Sequence, residues 1–231
     1  MSTSKISVIG GGSFGTVIAN ITAENGFDVG FWMRSKSRAE QLNKLHENVQ
    51  YLPDYKLSDR IVASNDMAAA VSDAGLIFVA VPSSSFRQVV RDMVPHISSD
   101  AVLISTTKGI ESGSFNLMSQ ILNQEAPGAK VGVLSGPNLA MEIAKKDLTG
   151  SVIASPHEDV RELVKNALKS KYFRVYANDD MFGVELGGSL KNIYAIIAGI
   201  AAALGMGHNT NSMLVTRALT EMARFGKERV T

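Results

Sequence analysis

Short apolar runs alternate with longer, partly polar segments along the first 180 residues of the chain. The apolar runs predict strands at residues 6–9, 28–33, 61–63, 76–81, 102–104, 131–134, 152–154 and 174–176. Helical segments separate most of them, the first three at residues 14–25, 37–47 and 66–71. Residues 76–81 are apolar throughout, which is typical of a strand buried on both faces of a parallel sheet. The alternation predicts an α/β fold with a doubly wound parallel sheet.

The pattern changes near residue 180, beyond which it predicts helices only. Residues 181–204 are apolar on nearly all sides, so we expect this helix to be buried. Gly205 and Gly207 interrupt the helical pattern. A second helix is predicted at residues 209–225, with Asn209 as its N-cap.

This change divides the chain into a predicted sheet domain, residues 1–180, and an incomplete all-α domain, residues 181–231. Two helices alone would leave an apolar face that needs cover. Either a partner chain, as in a homodimer, covers that face, or the polypeptide is a fragment. Residues 49–59, which include Pro53, are predicted to be a loop.

A glycine-rich turn follows the first predicted strand. The six residues from Gly10 to Gly15 fit G-x-G-x-x-G and precede a predicted helix, which is the context that a dinucleotide-binding motif requires. Gly10 permits a tight turn, Gly12 lets the backbone approach a pyrophosphate, and Gly15 lets helix and strand pack closely. The helix N-terminus offers free N–H groups to the phosphates. These features predict a Rossmann-type doubly wound parallel sheet that binds a dinucleotide.

The end of the second predicted strand distinguishes between the two nicotinamide dinucleotides. An NAD-specific site usually has a carboxylate here for the ribose hydroxyls, whereas this chain has Met33, Arg34, Ser35 and Lys36. Arg34 could pair with a 2′-phosphate or stack on adenine, the alternative being a solvated basic loop. We expect NADP to be accepted, with NAD left open.

Composition narrows the possible partners. The 231 residues include 23 basic and 22 acidic ones, a net charge of +1, which favours neither nucleic acid nor an anionic membrane. Without cysteine, disulfides, thiolate catalysis and cysteine-ligated metals are excluded, and no metal site is predicted. The first five residues are too short a run for a signal peptide, and the apolar run 193–206 is shorter than the ~20 residues of a membrane span. We expect a cytoplasmic protein.

Hydride transfer to or from an alcohol needs a group that exchanges the hydroxyl proton and a positive charge near the oxygen. The four histidines are poor candidates, because three are expected on helices or at their ends and one follows the glycine break: His46, His96, His157 and His208. Lys108 follows a buried strand, where ligands bind in doubly wound folds. Lys191 is a charge within an otherwise apolar helix, which is unfavourable unless it faces a partner or a cavity.

The segments around these lysines resemble a known family. Residues 184–192 (Val-Glu-Leu-Gly-Gly-Ser-Leu-Lys-Asn) are similar to the segment with the catalytic lysine in bacterial NAD(P)-dependent glycerol-3-phosphate dehydrogenases. The glycine turn at 10–15, Thr-Lys-Gly at 107–109, Ser-Gly-Pro-Asn at 135–138 and Thr-Arg-Ala-Leu at 216–219 resemble further family segments in the same order.

The resemblance implies site residues and an activity, the interconversion of sn-glycerol 3-phosphate and dihydroxyacetone phosphate for glycerophospholipid synthesis. The implied catalytic residues are Lys191, as proton donor and acceptor, and Lys108. The implied cofactor-binding residues are Gly10, Gly12, Ser13, Phe14, Gly15, Arg34, Ser35, Tyr51, Lys108 and Ala140. The implied residues for the small phosphorylated substrate are Lys108, Gly136, Asn138, Lys191 and Asn192. Two ammonium groups close together, partly buried, would lower a lysine pKa toward the range useful for proton transfer.

The chain also departs from the family pattern. Met141 replaces a charged residue, and residues 207–211 differ from the family's usual Gly-Asp-Asn-Ala-Lys. The family's later Ser-Arg-Asn motif, which would anchor the substrate phosphate, is absent, and the tail from Lys227 does not resemble the family. Two alternatives therefore stay open: a non-catalytic dinucleotide-binding fragment, and a related dehydrogenase that acts on a β-hydroxy acid.

Overall fold

A computed structural model describes residues 5–227 of the chain. The predictions about the amino terminus before Lys5 and the tail after Lys227 lie outside the described residues. The strands are β1 Lys5–Ile9, β2 Asp28–Trp32, β3 Glu47–Asn48, β4 Leu52–Lys56, β5 Ile61–Ser64, β6 Leu76–Val79, β7 Val102–Ser105, β8 Lys130–Ser135, β9 Thr149–Ala154 and β10 Phe173–Asn178. The α-helices are α1 Ser13–Glu24, α2 Lys36–Leu45, α3 Met67–Val71, α4 Ser83–Met93, α5 Met118–Glu125, α6 Ala140–Ala144, α7 Glu158–Ala167, α8 Met181–Ala203 and α9 His208–Lys227.

Eight strands form one sheet in the order β10-β9-β8-β7-β6-β1-β2-β5. The chain crosses over between β5 and β6, so β1 lies between β2 and β6, and apolar clusters cover both faces of the sheet. This confirms the predicted α/β class and the doubly wound, Rossmann-type sheet. The prediction that all strands are parallel was wrong for one pair, because β8 and β9 are antiparallel. The apolar pattern of a strand shows that it is buried but not in which direction it runs.

The predicted loop at residues 49–59 is also corrected. Residues 47–56 form a small antiparallel hairpin of β3 and β4, in which Pro53 lies in β4. Proline is tolerated there because the hairpin is separate from the main sheet and has only two strands. Buried Leu52 and Tyr55 anchor the hairpin to the core beside α1 and α2.

Helix α8 was expected to be buried, and for most of its length this was wrong. Ile196 is 64% exposed and Ile200 54% exposed, although α8 packs against α9, β8 and β9 and its first half also contacts Ser119 and Gly109. The helix is also longer than the apolar run 193–206: its 23 residues and mean hydropathy of 1.3 would suffice for a membrane span by length and composition alone.

The second helix begins one residue earlier than predicted. Because α9 starts at His208, Gly207 holds the N-cap position and Asn209 lies inside the helix. The apolar side of this helix is open as well, with Met213 73% exposed and Leu219 62% exposed.

Candidate active site

The glycine turn, residues 10–15, joins β1 to α1. Gly10 has φ +124°, and a Cβ there would lie 2.3 Å from the backbone oxygen of Ala80 at the end of β6. A Cβ on Gly15 would lie 2.1 Å from the Gly10 oxygen, so helix and turn pack too closely for a side chain. By contrast, nothing lies within 4 Å of a Cβ on Gly12, and no side chain caps α1 there. The first N–H groups of α1 are therefore open to an anion.

A cavity of about 620 Å³ opens in front of this turn. We call it the glycine-lined cavity. Eight of the ten predicted cofactor-binding residues line it: Gly10, Gly12, Phe14, Gly15, Arg34, Ser35, Tyr51 and Lys108. Of the other two, Ser13 lies beside the cavity, since its Oγ donates a hydrogen bond of 2.8 Å to the backbone oxygen of Tyr51, whereas Ala140 begins α6 and packs against the core. The roles of all ten stay predictions.

The cavity has a basic region that includes a residue to which the sequence analysis gave no role. Arg38 lines the cavity together with Arg34, and its guanidinium lies 5.7 Å from the centroid of the Tyr51 ring. Ser35 caps α2, accepting a hydrogen bond from the Arg38 backbone N. No aspartate or glutamate is among the described residues that line the cavity. Arg38 is visible in the basic run that follows β2, but its place here depends on the β3–β4 hairpin, which presents Tyr51.

The same hairpin supports the glycine turn through a buried amide. Asn48 is 4% exposed, and its Nδ2 donates to the Gly11 oxygen at 3.0 Å and to Thr16 Oγ1 at 2.7 Å. The Thr16 hydroxyl in turn donates to the Gly12 oxygen at 2.8 Å. The sequence gave no sign of this contact, because it joins residues more than 30 positions apart with no motif around Asn48.

The structure brings the two predicted catalytic lysines together. The segment before Lys108 is held to the end of β6, since Thr107 Oγ1 donates to the Val81 oxygen at 2.7 Å. From α8, Lys191 Nζ donates to the backbone oxygen of Gly136 at 3.2 Å. Burial, and then the Lys191 ammonium, hold the pKa of Lys108 below its usual value. A less basic amine beside a second positive charge suits proton exchange and attracts an anion.

Of the other predicted substrate residues, Asn138 joins this lysine site and Asn192 does not. The backbone N of Asn138 donates to the Gly136 oxygen at 3.0 Å, and its Nδ2 donates to Ser151 Oγ at 3.2 Å. Its Oδ1 is buried and has no hydrogen-bond partner within residues 5–227. Asn192 is exposed.

Comparison with known proteins agrees with this geometry. The family model described as NAD-dependent glycerol-3-phosphate dehydrogenase N-terminus matches residues 5–161, and its C-terminus counterpart matches residues 180–230. The expectation that the tail from Lys227 departs from the family was therefore wrong as far as Val230. A glycerol-3-phosphate dehydrogenase (NAD(P)+) of Teredinibacter turnerae is 55% identical over 96% of this chain and 65% of that protein. One of Saccharophagus degradans is 52% identical over 96% of this chain and 62% of that protein.

Among solved structures, glycerol-3-phosphate dehydrogenase from Coxiella burnetii has a TM-score of 0.89 and 35% identity over 96% of this chain and 68% of that one. The chain thus spans slightly less than two thirds of the length of the two curated relatives. With its sheet domain and first helices both matched, the chain belongs to the NAD-dependent glycerol-3-phosphate dehydrogenase family.

Proposed function

We propose that this chain carries the dinucleotide site and the catalytic lysines of a cytoplasmic oxidoreductase that interconverts sn-glycerol 3-phosphate and dihydroxyacetone phosphate. The product would supply glycerophospholipid synthesis. The observation that supports this most directly is the packing of α8, which carries Lys191, against the segment of Lys108, where the backbone N of Gly109 donates to Ser189 Oγ at 3.1 Å. The curated relatives bear the name of this activity with NAD(P)+.

The cofactor would be NADP or NAD, which supplies or accepts the hydride when bound. The residues fit such a group: the open N–H groups at the start of α1 suit a pyrophosphate, and nothing crowds Gly12. Arg34 and Arg38 suit a 2′-phosphate, because the cavity wall brings two cations and no carboxylate to it. Ser13 and Ala140 are the remaining residues that would contact the dinucleotide.

The lysines would manage the proton and the substrate charge. In the reducing direction Lys191 gives a proton to the C2 oxygen as hydride reaches C2, and in the reverse direction it takes that proton back. Lys108 stabilises the developing negative charge on the oxygen. Gly136 and Asn138 would line the substrate side beside Lys191.

A second candidate is a dinucleotide-binding protein that does not turn over. Asn192 is exposed, and α8 and α9 leave apolar faces open within residues 5–227. A homodimer is one arrangement that would cover those faces. Both candidates share the same nucleotide site in residues 1–180.

Two measurements on the purified chain separate these candidates. NADPH binding is followed by nicotinamide fluorescence, and turnover by loss of NADPH absorbance on adding dihydroxyacetone phosphate or, as a comparison, a β-keto acid. Turnover with dihydroxyacetone phosphate alone supports the main proposal, and binding without turnover supports the second. Faster turnover with the β-keto acid would assign a different dehydrogenase. Failure to bind either dinucleotide would contradict both proposals.

A further inference from the structure

A buried carboxylate that the proposed reaction does not use joins α8 to the sheet domain. Glu185 is 3% exposed. Its Oε1 accepts a hydrogen bond of 3.0 Å from the backbone N of Ser119, and its Oε2 accepts one from Ser119 Oγ. A buried carboxylate is strongly unfavourable without such partners. Ser119 therefore bonds both oxygens of Glu185, and the backbone of Met118 adds a further hydrogen bond.

The partner residue is part of the rigid sheet domain. Ser119 is the second residue of α5, where backbone N–H groups have no partner within the helix and attract negative charge. Helix α5 itself packs on β7 and β8. The strand β7 leads to Lys108, and β8 leads to Gly136. The Glu185–Ser119 contact thus ties α8 to the same framework that positions the other half of the lysine site.

A second contact lies on the same face of α8. Ser189 follows Glu185 by four residues, so the two side chains share one side of the helix. Ser189 Oγ accepts a hydrogen bond of 3.1 Å from the backbone N of Gly109, the residue after Lys108. A helix held at these two points cannot rotate freely about its axis. Its rotation determines where the Lys191 side chain emerges, two residues after Ser189.

We propose that Glu185 is a positioning residue, which holds α8 against the start of α5 and so fixes the Lys191 ammonium beside Lys108. Its importance for turnover rests on the proposed function, whereas the geometric effect can be measured without turnover.

The chemistry of the contact provides a conservative variant. Burial raises the pKa of Glu185, and the hydrogen bonds from Ser119 oppose that rise. A neutral side chain of the same shape is therefore tolerated. In Glu185→Gln the amide oxygen accepts from the Ser119 backbone N, while the amide nitrogen donates to Ser119 Oγ. Glu185→Ala removes both contacts, and Ser119→Ala removes only the hydroxyl.

The test measures the reactivity of Lys108, which changes when the Lys191 ammonium is displaced. The purified 231-residue chain is labelled with trace acetic anhydride at a series of pH values, and acetylation of Lys108 is measured by mass spectrometry. Because burial and Lys191 lower the pKa of Lys108, displacement of α8 raises that pKa and slows labelling near pH 8. We expect a several-fold slower reaction in Glu185→Ala, a smaller effect in Ser119→Ala, and a wild-type profile in Glu185→Gln.

Val71→Ala is the matched control, since Val71 is fully buried in α3, which packs on β1, β2, β5 and α4. The Val71→Ala variant should have a lower Tm than wild type but the same pH dependence of Lys108 acetylation. If the Glu185→Ala and Ser119→Ala profiles also match wild type, Glu185 is structural only and the proposal is overturned. A Glu185→Gln profile as shifted as that of Glu185→Ala would overturn it too. If Glu185→Ala does not fold, the Lys108 acetylation profiles of Ser119→Ala and Glu185→Gln still test the proposal. An absence of turnover in the wild-type chain would count against the proposed function, not against this result.

Discussion

The guanidinium of Arg38 lies 5.7 Å from the centroid of the Tyr51 ring, and both residues line the glycine-lined cavity. A cation–π contact at an exposed site contributes about 0.5–1 kcal/mol, and it restricts a long side chain that would otherwise be mobile. The hairpin that carries Tyr51 thus prepares Arg38 to bind an anion. This relationship links a small element outside the main sheet to the choice of dinucleotide.

Arg38→Ala should weaken NADPH binding more than NADH binding, because only NADPH has the 2′-phosphate that the guanidinium would bind. A hydrogen bond to a charged group contributes about 1.5–3 kcal/mol, so we expect at least a tenfold loss for NADPH. Arg34→Ala should act in the same direction. Fluorescence titration measures both affinities. Arg60→Ala, whose guanidinium pairs with Asp28 at 2.9 Å outside the cavity, is the control. An unchanged NADPH-to-NADH ratio in Arg38→Ala would argue against the contact.

Asn48→Ala should weaken the binding of both dinucleotides, because the Gly11 oxygen and Thr16 lose the amide that fixes the turn. Stability should fall by about 1–3 kcal/mol, the usual effect of leaving buried polar groups unsatisfied. Ser155→Ala is the control: Ser155 is fully buried and donates a hydrogen bond of 2.7 Å to the backbone oxygen of Val131, away from the turn and the hairpin. It should lose stability without losing affinity. Equal loss of affinity in both variants would mean that Asn48 acts only through global stability.

In a form of the protein that is active, Lys191→Met should abolish turnover. It should leave the affinity for NADPH nearly unchanged. The reason is that Lys191 bonds to Gly136 and lies outside the glycine-lined cavity. It should also raise the pKa of Lys108, since one of the two causes of its depression is removed. Steady-state kinetics and the nucleotide titration test the first part, and pH-dependent labelling of Lys108 tests the second. Residual activity near that of wild type would remove Lys191 from its assigned role.

Lys108→Met should raise stability at neutral pH. The folded chain holds the pKa of Lys108 below the usual 10.5, so it disfavours the ammonium relative to the unfolded chain. Between the lowered pKa and the usual one, the unfolded state binds more protons and wild-type stability rises with pH. The advantage of Lys108→Met should therefore be largest below the folded pKa and shrink as the pH approaches 10.5. Urea unfolding at pH 7 and pH 10 measures it, with exposed Lys171→Met as the control.

Glu111→Gln should destabilise the loop that follows Lys108. Arg87 bonds both oxygens of Glu111, each at 2.6 Å, and holds the pKa of that carboxyl at about 2. A lowered carboxyl pKa contributes stability above the unfolded value, near 4.5, which is lost as the pH falls toward 2. We expect a loss of about 1–2 kcal/mol at pH 7 and much less at pH 3, measured by urea unfolding. A loss of the same size at both values would show that the charge is not its source.

The sequence predicted the features that repeat or that depend on local backbone geometry. The central strands β6 and β7 were visible because they are buried on both faces, and the turn at Gly10 was visible because its packing excludes a Cβ. The family resemblance directed attention to Lys108 and Lys191. The strands, the glycine turn and the lysine segments are each recognised from a short stretch of sequence, because their patterns do not depend on contacts with distant segments.

What the sequence did not reveal depends on contacts between distant segments. The β3–β4 hairpin forms from residues with weak strand character, and Asn48 and Tyr51 gain their places only when it packs beside α1. The antiparallel direction of β9 and the Glu185–Ser119 contact likewise have no local signal. The exposure of α8 reverses the expectation from its composition, because burial depends on which neighbours are present as well as on apolar character.

The cavity in front of the glycine turn has a further consequence, which concerns the order in which the protein is made. All residues that line it lie between Gly10 and Lys108, and the strands that frame it, β5-β2-β1-β6-β7, end at Ser105. Synthesis at about 5–20 residues per second adds Lys191 some 4–17 seconds after Lys108. A ligand that binds only the folded state stabilises it by mass action. The whole cavity wall is therefore synthesised before the lysine that would exchange the substrate proton, and a dinucleotide would stabilise the fold once the later core residues are in place.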